Sequence, residues 1–184
     1  MKIYFISSNK YKISEVKEIL EDEGVEIEGH ELKINEIQSP IMEDIAIDKA
    51  KKAYKKIGRP VMVEQTGLYI PEFGNLPGGL TQVFWDSLQA DKFCEFFAEK
   101  SPNVTAKTII AFCDGMKIHT FSGEIEGSIV EEPRGDRAFQ WDCVFQPTGY
   151  DKTFAELGAV KNQISMRKKA LMEFKKYLED KDNV

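Results

Sequence analysis

Two clusters of cations stand where a helix should begin. Lys10 and Lys12 follow Ser7-Ser8-Asn9, and Arg167, Lys168 and Lys169 follow Ser165. Free N–H groups at a helix start favour anions by roughly 0.3–1 kcal/mol per charge, so cations there need a compensating partner. A phosphate would serve, because exposed N–H groups together with Lys or Arg make a phosphate site. Solvated lysines carrying a small penalty are the plainer alternative. Two departures from one local rule mark a functional site. Both helix starts are therefore expected to converge on one pocket, where Lys12 and Arg167 clasp a polyanionic tail.

Other residue types add candidates. Glu36 and Glu64 each follow an apolar run, where a carboxylate is either a surface group or a ligand for a hard metal ion. Phe139, Trp141 and Phe145 flank Asp142, and an aromatic in a polar loop either packs in a core or stacks on a base. Lys51, Lys52, Lys55 and Lys56 read as a solvated face. The chain has only two histidines (His30, His119) and three cysteines (Cys94, Cys113, Cys143), none at zinc-finger spacing, which excludes a His-rich metal centre. Catalysis is left to carboxylates, Lys, Arg, hydroxyls or an oxygen-held metal ion.

The elements that must position these residues follow from the pattern of apolar positions. Residues 2–7 are apolar and aromatic, a buried strand. Ile13, Val16 and Leu20 then mark one face of a helix that Ser8-Asn9 can cap. Residues 25–33 alternate as a half-exposed strand, and Pro40 makes 34–42 a loop. A helix spans about 43–57 with Ala46, Ala50, Ala53 and Ile57 on one side; Glu43 and Asp44 open it, lysines close it, and Gly58 stops it. A strand at 60–66, a Gly/Pro loop at 71–80 and a helix at 86–99 follow. Strands are expected at 105–113, 116–121 and 124–131, then a Gly/Pro-punctuated aromatic stretch over 133–150 and a helix over about 165–178. Interleaved helices and strands early, with hairpins later, predict an α/β fold on a mixed sheet. Without a repeat or a linker-like shift in composition, residues 1–184 read as one domain.

The balance of 184 residues, 30% charged and 42% hydrophobic, belongs to a globular protein with a real core. A formal charge of −6 argues against attraction to nucleic acid or anionic membranes. No apolar run approaches the roughly 18 residues a spanning helix needs. The opening MKIYFISSNK is too short in apolar residues for a signal peptide, so a cytoplasmic setting with reduced thiols is expected.

In this order the motifs resemble those of the inosine triphosphate pyrophosphatase family. Ser7-Ser8-Asn9-Lys10-Tyr11-Lys12 is similar to its opening Ser/Thr-x-Asn-x-x-Lys phosphate motif. Val63-Glu64-Gln65-Thr66-Gly67-Leu68 followed by Leu76-Pro77-Gly78 is similar to its acidic strand end and Leu-Pro-Gly loop. Phe139-Gln140-Trp141-Asp142, Phe145-Gln146-Pro147 and Thr153-Phe154-Ala155-Glu156 resemble its base-binding segment. Lys161-Asn162 and Ser165-Met166-Arg167 resemble its Lys-Asn-x-x-Ser-His-Arg ending.

The resemblance implies a long curved mixed sheet with helical lobes around a central cleft, in a homodimer. It implies hydrolysis of non-standard purine nucleoside triphosphates, of the ITP, XTP or dITP type, to the monophosphate and pyrophosphate with Mg²⁺. By position, Ser7, Asn9, Lys12 and Lys49 would hold phosphates, and Glu36 and Glu64 the metal. Phe139 and Trp141 would border the base, with Asp142, Lys161, Ser165, Met166 and Arg167 reading or securing it. Glu64, Lys12 and the position of Gln65 would serve catalysis.

Four positions depart from the family pattern: Gln65 replaces an Asp, Gln82 a Lys, Gln140 a Gly and Met166 a His. Gln can ligate through its carbonyl oxygen but cannot accept a proton. The alternative is therefore a nucleotide-binding protein with weakened or lost hydrolysis.

Overall fold

Strand alternation organises the centre of the molecule. In the computed structural model, which describes residues 3–22, 24–98 and 103–182, all five residues of β1 (Ile3–Ser7) are buried. Ile3 and Phe5 face one side with Met62, Ile110 and Phe112. Tyr4 and Ile6 face the other with Val61, Val63, Ile109 and Ala111. A strand covered on both faces needs no polar alternation, which is why residues 3–7 read as continuously apolar.

Around β1 the sheet adds β2 (Ile27–Glu31), β3 (Val61–Ile70), β5 (Val104–Cys113), β6 (Ile118–Ile129) and β7 (Phe145–Pro147) in the order β2-β1-β3-β5-β6-β7. The short β4 (Leu76–Gly78) pairs with β3. β1 runs parallel to β2 and β3, and the later pairings are antiparallel. This is the α/β fold on a mixed sheet that the order of elements predicts.

Helices cover both faces. α1 (Lys10–Asp22) and α6 (Met166–Asp182) bury Val16, Ile19, Leu20, Ala170, Leu171 and Phe174 against one. α2 (Met42–Ile57) lays Met42, Ala46, Ala50 and Ala53 on the other, and ends at Gly58 in the left-handed conformation that glycine adopts without strain. α3 (Thr81–Phe97), α4 (Phe154–Leu157) and α5 (Lys161–Ile164) enclose an aromatic core that includes Phe93, Phe97, Trp141, Phe145 and Phe154.

Three local expectations are corrected. The helix expected from residue 86 starts at Thr81 and breaks at Gln89, whose φ is 57° and whose side-chain amide donates to the carbonyls of Trp85 and Asp86. The strands expected at 116–121 and 124–131 are the single strand β6. Gly123 is no turn there: a Cβ on it would lie 2.1 Å from the Met166 carbonyl oxygen, so the glycine lets α6 begin flush against the strand. The loop expected over 71–80 contains a helical turn at Pro71–Phe73 and the strand β4. Lys2 and Glu99, at the edges of two expected elements, lie outside the described residues.

Candidate active site

The start of α1 is shaped by its own polar side chains. Asn9 caps the helix, its Oδ1 accepting from the Lys12 N–H at 3.2 Å, and the Ser7 Oγ accepts from the Asn9 N–H at 3.1 Å. The same turn lines a cavity of about 730 Å³ together with Glu36, Lys49, Gln65, Gln82 and Gln140. Lys49 reaches across from α2, donating to Glu36 Oε1 at 2.5 Å and to the Glu64 carbonyl at 3.1 Å. A second cavity, of about 400 Å³, is lined by Glu15, Phe139, Asp142, Phe154 and Lys161. Lys161 Nζ stands 4.1 Å from the Phe139 ring centroid, a cation over an aromatic face.

From the wall of one cavity to the wall of the other runs a line of buried and half-buried groups of alternating charge. Lys12 pairs with Glu64 at 3.1 Å, and Glu64 with Arg167 through bonds of 2.5 and 2.9 Å. Arg167 pairs with Glu15, Glu15 with Lys161 at 2.8 Å, and Lys161 with Asp142 at 2.6 Å. Cation and anion alternate throughout, so the line is neutral, and each buried charge has the partner that burial demands. Burial lowers the pKa of Lys12 despite Glu64, and pulls the Arg167 guanidinium down to about 9, still charged at neutral pH. Burial pushes the Asp142 carboxyl up while the Lys161 ammonium pulls it back.

β3 explains why adjacent residues play different parts. Successive side chains point to opposite faces of a sheet. Glu64 shares its face with Met62, beneath α1 and α6, while Gln65 shares the α2 face with Val63. Gln65 lines the larger cavity, whereas Glu64 is 2% exposed and lines neither. Its Oε1 accepts from Thr66, Arg167 and Lys12, and its Oε2 from Arg167.

The two helix starts converge, but on a protein carboxylate. The charge they lack is supplied by Glu64, touched by Lys12 from α1 and by Arg167 from α6. The start of α1 opens onto the larger cavity. That of α6 does not: Arg167 is 1% exposed, Met166 belongs to the aromatic core, and Ser165 is buried with its Oγ accepting from the Lys168 N–H. The expectation that both helix starts open onto one shared pocket is thus corrected: only the start of α1 faces a cavity.

Of the other candidates, Ser7, Asn9, Lys12, Lys49, Glu36 and Gln65 come together at the larger cavity, and Phe139, Asp142 and Lys161 at the smaller. Trp141 is 4% exposed and packs edge-on against Phe145; it reaches only the wall of the larger cavity, away from Phe139. Glu15 was missed. Its signal was its place three residues after Lys12, on the same side of an amphipathic helix.

Glu36 and Asp86 are the carboxylates lining the larger cavity. Among the described residues, no group of three or more His, Cys, Asp or Glu is placed to hold a metal ion. Mg²⁺ needs no such cage, since it takes one or two carboxylates with substrate phosphates and water. Glu36, part-exposed and bound through one oxygen to Lys49, fits that part; Glu64, with both oxygens engaged, does not.

Comparison with known proteins shows the family. The sequence model of the Ham1 family matches residues 3–177. A protein of Methanopyrus kandleri named dITP/XTP pyrophosphatase is 37% identical, the match covering 100% of this chain and 98% of that one. One of Yarrowia lipolytica named inosine triphosphate pyrophosphatase is 40% identical, covering 98% and 97%. The solved structure of a HAM1 protein from Coxiella burnetii aligns with a TM-score of 0.81 at 26% identity, over 98% of this chain and 99% of that one.

Proposed function

The chain belongs to the Ham1 family, and from that premise we propose that it hydrolyses non-standard purine nucleoside triphosphates, of the ITP, XTP or dITP type, to the monophosphate and pyrophosphate. The observation that carries this is the pair of adjoining cavities. One is lined by Lys12, Lys49 and the capped start of α1, the other by Phe139 and the Lys161–Asp142 pair. The first suits a triphosphate, whose charge needs cations and N–H groups. The second suits a flat base with a carbonyl acceptor, which Lys161 can meet while Phe139 offers a ring face. Relatives named for dITP, XTP and inosine triphosphate support the substrate class.

Mg²⁺ belongs to this reading, held by Glu36 and the phosphates, where it would neutralise charge on the oxygens being separated. Lys12 and Lys49 hold the phosphates beside it. Gln65 can orient the attacking water by accepting from it but cannot take its proton. That leaves Glu36 and Asp86 as the carboxylates of this cavity able to receive it. Glu64 holds Lys12 and Arg167 in place from behind. A homodimer and a cytoplasmic setting complete the reading, together with a single domain over residues 1–184.

Pyrophosphate release from ITP, XTP and dITP, with and without Mg²⁺, tests the proposal. Turnover of these above ATP and GTP is expected. Absence of turnover with a nucleotide-dependent rise in melting temperature would favour a binding protein that Gln65 has deprived of hydrolysis. Absence of both would end the nucleotide reading.

A further inference from the structure

The two cavities meet at a neck. Tyr11 and Ala138 line both, and among the described residues no others do. A molecule with one end in each cavity must therefore pass between the first turn of α1 and the segment leading into Trp141.

One side of that neck is held firmly. Gln140 has a φ of 44°, a left-handed conformation that costs a residue with a Cβ and persists where the surroundings impose it. Its Nε2 donates to Gln82 Oε1 on α3 at 2.6 Å, and Gln82 in turn donates to Asp86 at 2.7 Å. Two residues earlier, the Ala138 N–H donates to Asp136 Oδ1.

The other side is a single ring. Tyr11 is 58% exposed, and its ring lies 5.9 Å from that of Phe139 at 83°, an edge contact that leaves a ring face uncovered. A large exposed aromatic at a passage contributes apolar area and a negative face that suits the C–H edges of a sugar. Phe139, its partner, lies under Lys161 in the smaller cavity, so the ring pair marks where a base would join the rest of a nucleotide.

We propose that Tyr11 is a specificity-determining residue that packs on the sugar of a nucleotide spanning the two cavities, selecting nucleoside polyphosphates over free polyphosphate. The proposal rests on the two-cavity assignment above.

Titration calorimetry on the full chain with inosine triphosphate, and separately with inorganic tripolyphosphate, tests it. Tyr11→Ala is expected to weaken inosine triphosphate about fivefold or more, the loss of one ring contact, and to leave tripolyphosphate within about twofold. Tyr11→Phe should keep both affinities, because the ring and not the hydroxyl makes the contact. Unchanged nucleotide affinity in Tyr11→Ala overturns the proposal. So does parallel loss of both ligands, which would place Tyr11 with the phosphates. In either case the function stands as long as the unmutated chain binds the nucleotide. An unmutated chain that binds no nucleotide sinks the function and the sugar contact together.

Discussion

The larger cavity and the smaller one are built differently. The smaller is backed by fixed, paired charge, with Glu15, Lys161 and Asp142 each held by an opposite partner. The larger carries neutral amides: Gln65, Gln82 and Gln140 all line it. These are three of the four positions that depart from the family pattern, and the fourth, Met166, sits in the core. The departures are not confined to one end of a nucleotide: Gln140 and Met166 belong to segments that resemble the base-binding ones, while Ser7, Asn9 and Lys12 at the larger cavity keep the phosphate pattern. The contrast is one of construction: paired charge behind one cavity, neutral amides along part of the wall of the other.

The most forceful way to break this contrast is to remove what backs both cavities at once. Glu64→Ala leaves Lys12 and Arg167 buried without their shared carboxylate. Removing one partner of a buried pair costs about 3–5 kcal/mol, and chemical denaturation should read a loss of that order along with lost turnover. A loss under about 1 kcal/mol would mean that the charge line is not a common support.

Gln65→Asp sharpens the contrast instead. A positioned proton acceptor contributes typically 10²–10⁴-fold, so kcat is expected to rise by at least about tenfold while KM stays within about twofold. The expected split is in kcat alone, because Gln65 faces the α2 side and lines only the larger cavity. A rise confined to binding, or a fall in kcat, would show that the amide is the working group and that the chemistry here does not need a carboxylate at this position.

How much of this was legible beforehand follows from which forces are local. Apolar periodicity and the Asn9 cap reveal α1, and continuous burial reveals β1, since both depend on neighbours in sequence. The reversed charge at the starts of α1 and α6 pointed to the right place, yet it read the compensating anion as a ligand. It is Glu64, more than fifty residues from Lys12 in sequence and joined to it only by the parallel pairing of β1 with β3. The opposite facing of Glu64 and Gln65 was present in the two-residue period of a strand, but which face held a cavity depended on where the helices pack. The break expected between residues 121 and 124 failed for a similar reason: the need for Gly123 inside a strand shows only once α6 is known to press on it.

The Gln140–Gln82 bond offers a smaller test of how the larger cavity is held. Gln82→Ala removes two surface hydrogen bonds, to Gln140 and Asp86, and should cost roughly 1 kcal/mol of stability. Gln140→Gly should be nearly neutral, because relief of the left-handed backbone offsets the loss of its bond to Gln82. If the bond sets the wall, the two changes will not add in kcat/KM, and a double-mutant cycle should return a coupling of about 0.5–1.5 kcal/mol. Additive effects would make each amide an independent lining group and would weaken the idea that the changed positions act together.

The smallest effect is expected far from either cavity, at the other end of the helix that begins beside Arg167. Asp114 accepts from the N–H groups of Met116 and Lys117 at 2.9 and 2.8 Å and pairs with Lys181 of α6 at 3.1 Å. Those backbone bonds, aided by Lys181, hold its carboxyl well below the usual carboxylate range. A depressed carboxyl stabilises the fold above its unfolded pKa of about 4 and loses that contribution as pH falls through the folded value. Asp114→Asn should therefore lower the melting temperature slightly at neutral pH, with the gap from the unmutated chain closing in acid. It should leave kcat, KM and the preference among nucleotides untouched. Arg167 is fixed by Glu64 and Glu15 at the start of α6, so loosening the far end has no mechanical reason to reach the cavities. A change in nucleotide preference in this variant would show that α6 transmits strain along its length, and the two cavities could then no longer be treated as separately supported.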